Sequence, residues 1–195
     1  MEKKNIVISH LPEEIVLDEH LKLSTIRAGR FDEFKAGLIK DFTHMKKWLP
    51  WVEEDIESSS REFYESSEQK KIDDKEVNWN ILVDGKLAGT ISFMKRDPNG
   101  DYLEIGYWLF SWHNGQGIMT RCAKILVDLA FEQTDAAGVE ICCDKANVLS
   151  ASVAMRTGLK LAREDERFDS GLEPESGVAQ HYEITRDEWK LQVNF

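Results

Sequence analysis

Residues 112–130 read W-H-N-G-Q-G-I-M-T-R-C-A-K-I-L-V-D-L-A and join a glycine-bearing loop to an amphipathic helix. Ile118, Cys122, Ile125, Leu126 and Leu129 recur at helical spacing, so one face is buried while Thr120, Arg121, Lys124 and Asp128 turn toward solvent or a site. Just upstream, residues 102–110 form an apolar and aromatic run suited to a central strand. The first amides of a helix have no intrahelical partner, and together with the positive end of the macrodipole they favour a phosphate group. Gly115 and Gly117 would let the backbone approach such a ligand, although two-glycine loops before helices also serve as plain tight turns. The P-loop pattern G-x-x-x-x-G-K-S/T is absent, and so is a G-x-G-x-x-G opening a βαβ unit.

Working outward, residues 79–83 and 87–93 flank Asp84-Gly85, a dipeptide that suits a tight hairpin, and Asp97-Pro98-Asn99-Gly100 supplies a second turn before the strand at 102–110. The order into the glycine loop is therefore β-β-β-α. Toward the N-terminus, residues 6–9 and 21–27 read as short strands. Phe31, Phe34, Leu38, Ile39, Phe42, Met45 and Leu49 mark a helix that Pro50 helps to end. The polar segment 53–71 has Ile56, Phe63 and Tyr64 as its sparse apolar positions and a Ser-rich middle, and reads either as a solvated helix or as a mobile flap. Downstream, residues 139–144 read as a strand, 150–157 as a short helix closed by Gly158, 159–162 as a strand, 163–179 as a strand end and hairpin loop, and 182–185 as the last strand. No internal repeat or second domain is visible, so residues 1–195 form a single domain.

Composition narrows the chemistry. A chain of 195 residues, 42% hydrophobic with six Trp and nine Phe, can furnish one sizeable core. Its 36 acidic against 25 basic residues give a net charge of −11, which disfavours nucleic acid and suits cationic partners such as amines or basic proteins. No apolar run approaches the roughly 20 residues needed to cross a bilayer, and M-E-K-K-N-I-V-I-S lacks the apolar core of a signal peptide, so a soluble, cytoplasmic protein with no membrane partner is expected. Cys122, Cys142 and Cys143 show no C-x-x-C spacing and read as buried reduced thiols. The five scattered histidines form no H-x-x-x-H, so no metal is expected. A covalent enzyme built on Cys142 or Cys143 would need a neighbouring His, which the sequence does not place nearby.

The order of elements and the H-N-G-Q-G-I-M-T loop resemble the GCN5-related N-acetyltransferases, and within them the ribosomal-protein N-terminal acetyltransferases of the RimJ/RimL type. The resemblance covers most of the chain. It rests on M-K-K-W-L-P-W, L-E-I-G-Y-W-L, the glycine loop, A-N-V-L-S-A-S-V-A and H-Y-E-I-T-R-D-E-W. It implies an α/β (α+β) fold, a mixed central sheet of about seven strands flanked by helices. The family's loop pattern Q/R-x-x-G-x-G/A places Asn114 first, Gly117 fourth and Met119 last, so two of the three positions depart from the consensus, and Met at the last is similar to the RimL-type variant.

By that similarity the amides around Gly115, Gly117, Ile118, Met119 and Thr120 hold the pyrophosphate of acetyl-CoA, and the backbone of Leu109 and Phe110 faces its pantetheine arm. Asn147 and Ser150 fall where the subfamily places an Asn and a Ser beside the cofactor thiol, while the general family's Tyr is Ala154 here. The resemblance implies that Asn147 orients the cofactor and that Ser150 protonates or hydrogen-bonds the leaving thiolate. A helix N-cap is the plainer role for Ser150. Glu104 is the first candidate for a general base, acting through water, and Asp169 the second. The acceptor is a protein N-terminal α-amine or a small amine such as a polyamine or aminoglycoside, with segment 53–68 at its entrance, and a non-catalytic CoA-binding module is the remaining alternative. At pH 7 an α-amine of pKa ~8 is about 10% neutral, whereas a lysine of pKa ~10.4 needs about 4.6 kcal/mol to lose its proton, so N-termini need less help. Members of this family often form homodimers, for which the six Trp offer anchors.

Overall fold

The computed structural model describes residues 6–26, 28–95, 100–166 and 175–193. Among them the regular elements are β1 (Glu14–Val16), β2 (Leu21–Thr25), α1 (Phe31–Met45), α2 (Ile56–Ile72), β3 (Glu76–Val83), β4 (Lys86–Met94), β5 (Tyr102–Leu109), α3 (Ile118–Gln133), β6 (Gly138–Asp144), α4 (Val148–Arg156), β7 (Lys160–Glu166), β8 (Val178–Thr185) and α5 (Arg186–Val193). One mixed sheet of eight strands holds them in the order β1-β2-β3-β4-β5-β6-β8-β7. No helix among the described residues is long and apolar enough to cross a membrane.

The hairpin forms where its dipeptide allows: Asp84 at φ 48° and Gly85 at φ 75° turn β3 into β4, whose register runs from Val83↔Lys86 to Glu76↔Met94. Every neighbouring pair is antiparallel except β5 and β6, which pair in parallel over Tyr102–Glu104 and Gly138–Glu140 alone. Both strands run on past this point, to Leu109 and Asp144, so the sheet divides into a wedge-shaped gap. On one sheet face α3 packs over β5 and β6, and its Ile118, Cys122, Leu126 and Ala130 share one core cluster with Trp79, Ile91, Phe93 and Ile105. On the other face α1 and α2 pack through Phe34, whose ring stacks on Phe63 at 5.4 Å and Trp51 at 6.3 Å. Such aromatic pairs contribute about 0.5–1.5 kcal/mol each beyond area burial, which fixes the turn after α1 beside the gap.

Several sequence expectations change. The sheet, expected at about seven strands, has eight, with the short β1 joining β2 at the edge. Residues 6–9 form no strand: Ile8 and Leu11 are buried, and Asp74 accepts from the amides of Ile8 at 2.8 Å and Ser9 at 2.7 Å. Of the two readings of segment 53–71 the helix holds, as α2 from Ile56 onward, and Asp55 caps it by accepting from the Ser58 amide at 3.1 Å. Its serines are partly the reason: Ser60 and Ser67 are buried, where small side chains let α2 lie close to the sheet. The turn at residues 97–100 falls largely outside the described residues. Helix α5 was not anticipated; it is held by Trp189, which donates to Asp128 at 2.7 Å and packs on Phe131.

Candidate active site

The loop before α3 is braced from below. Asp41, buried in α1, accepts from both the amide and the hydroxyl of Ser111 at 2.6 Å. Asn114 donates its amide to Ser111 at 3.1 Å, and Gly115 and Gly117 then take φ of 75° and 73°, a region that costs other residues roughly 1–2 kcal/mol. Gly117 is the N-cap of α3 and provides no side-chain acceptor, so the amides of Ile118, Met119 and Thr120 face outward from the helix start. Around the Cβ positions of Gly115 and Gly117 there is open space to 4 Å. Burial pushes the His113 imidazole below its usual pKa. A cation that sequence reasoning missed lies close: Arg156, at the end of α4, donates to the Thr120 hydroxyl at 3.3 Å.

From this helix start a cleft runs into the gap between β5 and β6. Its walls include Met45, Trp48 and Leu49 after α1, Tyr107 and Leu109 on β5, Asn114 and Met119, and Asn147, Ser150 and Val153 on α4. Five residues chosen from sequence, Leu109, Asn114, Met119, Asn147 and Ser150, thus share one cavity. Phe110 is a correction. Its amide donates to Ala88 at 2.9 Å, its carbonyl accepts from His113 at 2.9 Å, and its ring belongs to the aromatic cluster of α1 and α2. Because successive peptide groups of a strand point alternately, it is Leu109 and Tyr107 whose backbone faces the edge from which β6 has diverged.

At the start of α4, Asn147 is the N-cap, accepting from the Ser150 amide at 3.1 Å. Ser150 is therefore not the cap. Its hydroxyl lies 2.9 Å from the hydroxyl of Tyr107, which also reaches the Ser150 carbonyl at 3.1 Å. Burial raises the Tyr107 pKa well above that of a free phenol, against the opposing Ser150 hydrogen bond, so the hydroxyl stays protonated. Ala154, by contrast, is fully buried. Tyr107 was legible only as part of L-E-I-G-Y-W-L, because nothing in the sequence pairs it with a residue 43 positions away.

Glu104 lies on the other face of β5, buried, at the last rung before the strands part. It is in register with Glu140 on β6, which in turn is in register with Glu183 on β8. Arg163 reaches Glu140 at 3.0 Å and also pairs with Glu183, while His181 Nδ1 contacts Glu140 at 2.8 Å. The structure corrects one more expectation here, since His181 Nε2 stands 3.8 Å from Cys142 Sγ, brought there by the β6–β8 register. Asp169 lies outside the described residues.

Residues 20–160 match the family model of the acetyltransferase (GNAT) domain. The chain belongs to the GNAT acetyltransferases. It is accordingly an acyltransferase of that family, with the mixed α/β fold expected from sequence. The ribosomal-protein-serine acetyltransferase of Escherichia coli (strain K12) is 26% identical over 164 residues, which cover 77% of this chain and 85% of that protein. Two solved structures share the fold. Microcin C7 self-immunity acetyltransferase MccE, in complex with acetyl-CoA and AMP, superposes with a TM-score of 0.79 at 23% identity, covering 91% of this chain and 98% of that one. RimL, a ribosomal L7/L12 α-N-protein acetyltransferase in complex with coenzyme A, gives 0.79 at 21% identity over 90% and 99% of the two chains.

Proposed function

We propose that this chain transfers the acetyl group of acetyl-CoA to a protein N-terminal α-amine, with a ribosomal protein as acceptor. The observation that carries the reading is the cleft itself. It joins an uncapped helix start, a strand edge whose peptide groups face a gap, and a Ser hydroxyl at the base of α4. A long ligand with a pyrophosphate, an amide-bearing arm and a terminal sulfur fits that sequence of groups, and the open space over Gly115 and Gly117 leaves room for its anionic part. The acceptor class follows the name of the 26% identical relative and the low cost of a neutral α-amine.

When bound, acetyl-CoA supplies an acyl group activated as a thioester. The amides of Gly115 and Gly117 to Thr120 would hold the pyrophosphate, assisted by Arg156. Tyr107 and Leu109 would offer their backbone groups to the arm. Ser150 hydrogen-bonds the departing sulfur and Asn147 fixes the helix that carries Ser150. Glu104, beside the apex of the gap, takes up the proton of the incoming ammonium through water. Positioning and proton management suffice for direct attack by the amine, without a covalent enzyme intermediate.

Following free thiol release with acetyl-CoA and a panel of peptides beginning with Ser or Ala, spermidine and aminoglycosides tests the proposal, together with mass spectrometry of ribosomal-protein N-termini in cells with and without the protein. Turnover of peptides and loss of one N-terminal acetyl mark are expected. Turnover of spermidine or an aminoglycoside alone would move the acceptor to a small amine, and CoA binding without any turnover would make the chain a binding module.

A further inference from the structure

We propose that Tyr107 is a positioning residue for acetyl transfer: its hydroxyl, by donating to Ser150 Oγ, turns the Ser150 proton onto the departing sulfur. This rests on the reading of Ser150 given above. The general family's Tyr position on α4 is Ala154 in this chain, fully buried, yet a tyrosine hydroxyl reaches the same helix, at Ser150 near its start, from β5 across the gap.

The geometry leaves two arrangements of two protons. Each hydroxyl carries one donor and two acceptor lone pairs. The Ser150 amide is already spent on Asn147 at 3.1 Å, so the Ser150 side chain is the group that can respond. In the first arrangement Tyr107 donates to the Ser150 carbonyl at 3.1 Å, and Ser150 Oγ donates back to Tyr107 at 2.9 Å. In the second, Tyr107 donates to Oγ and the Ser150 proton is free to turn into the cleft both residues line. Negative charge growing on sulfur selects the second. As the amine nitrogen bonds to the acetyl carbon, the C–S bond breaks and its electron pair stays on sulfur, which accepts the Ser150 hydrogen bond. The surplus ammonium proton leaves through Glu104 or its water, and the thiolate is protonated by water once released. Burial keeps Tyr107 in its neutral, donating form throughout.

Tyr107→Phe, Ser150→Ala and the double variant separate the possibilities. Tyr107→Phe is expected to lower kcat roughly tenfold, the size of one hydrogen bond, with the KM for acetyl-CoA within about twofold. The double variant should be no slower than Ser150→Ala, because Tyr107 acts only through Ser150. With the selenoester analogue of acetyl-CoA, whose selenolate needs less stabilisation, the Tyr107→Phe deficit should vanish, whereas a merely packing-damaged site would slow both substrates alike. An unaltered kcat in Tyr107→Phe, or deficits that multiply in the double variant, would overturn the proposal while leaving Ser150 intact. A wild-type kcat in Ser150→Ala would instead remove the Ser150 reading and this inference with it.

Discussion

Gly117 and Gly85 form a matched pair. Both sit at positive φ, 73° and 75°, and at both an added Cβ meets nothing within 4 Å. Alanine at either position therefore costs backbone strain alone, roughly 1–2 kcal/mol, which for a domain of this size lowers Tm by about 2–8 °C. The two differ in what lies over them: Gly85 closes the β3–β4 hairpin, whereas Gly117 caps α3 at the proposed pyrophosphate site. A methyl group there occupies the approach to the helix amides. Losing one or two charge-assisted hydrogen bonds at about 1.5–3 kcal/mol each weakens CoA binding at least tenfold. Gly117→Ala and Gly85→Ala should thus show similar thermal denaturation curves, while titration calorimetry with CoA finds weak binding only for Gly117→Ala. Equal CoA affinities in the two variants would refute the assignment of the α3 start as an anion site.

Three further outcomes can be measured. Glu104→Gln should retain activity that tracks the neutral amine, with kcat/KM rising about tenfold per pH unit up to the α-amine pKa near ~8; wild-type activity at pH 6.5 would exclude Glu104 as base. Asp41→Asn leaves one of the Ser111 donors facing an amide N–H₂ instead of a carboxylate, so a loss of roughly 1–3 kcal/mol in urea unfolding is expected, accompanied by weaker CoA binding because the glycine loop loses its brace. Burial would raise the pKa of Asp144, but it is outweighed: Oδ1 accepts from the Ser176 and Ala146 amides at 2.9 and 2.7 Å and from the Ser176 hydroxyl at 2.9 Å, holding the carboxyl below its usual range. A depressed carboxylate stabilises the fold above its unfolded pKa, and that contribution drains away as pH falls through the folded value. Asp144→Asn should therefore be less stable than the parent at pH 7, with the gap closing as unfolding is measured toward pH 4 and below.

Legibility in the sequence followed the range of the interaction. The α3 face, the Asp84-Gly85 turn and the strand at 102–110 rest on residues within a turn or two of one another, and each formed where its pattern placed it. Segment 53–71 stayed ambiguous because its buried serines look like solvated ones until the sheet beneath them is known. Helix α5 carries only eight residues and owes its position to distant anchors, with Arg186 donating to the carbonyls of Thr134 at 2.7 Å and Ala136 at 3.0 Å.

The sequence by itself determined the glycine-capped helix, the strand that feeds it and the glycine loop between them, because periodicity and backbone freedom are local properties. Which groups meet was decided only in three dimensions. Parallel pairing that stops at Glu104 and Glu140 opens the gap, the register of β6 with β8 sets His181 beside Cys142, and the packing of α4 against α3, β6 and β8 brings Ser150 to Tyr107. Those contacts span 36 to 43 positions of chain, and no local pattern records where two strands part.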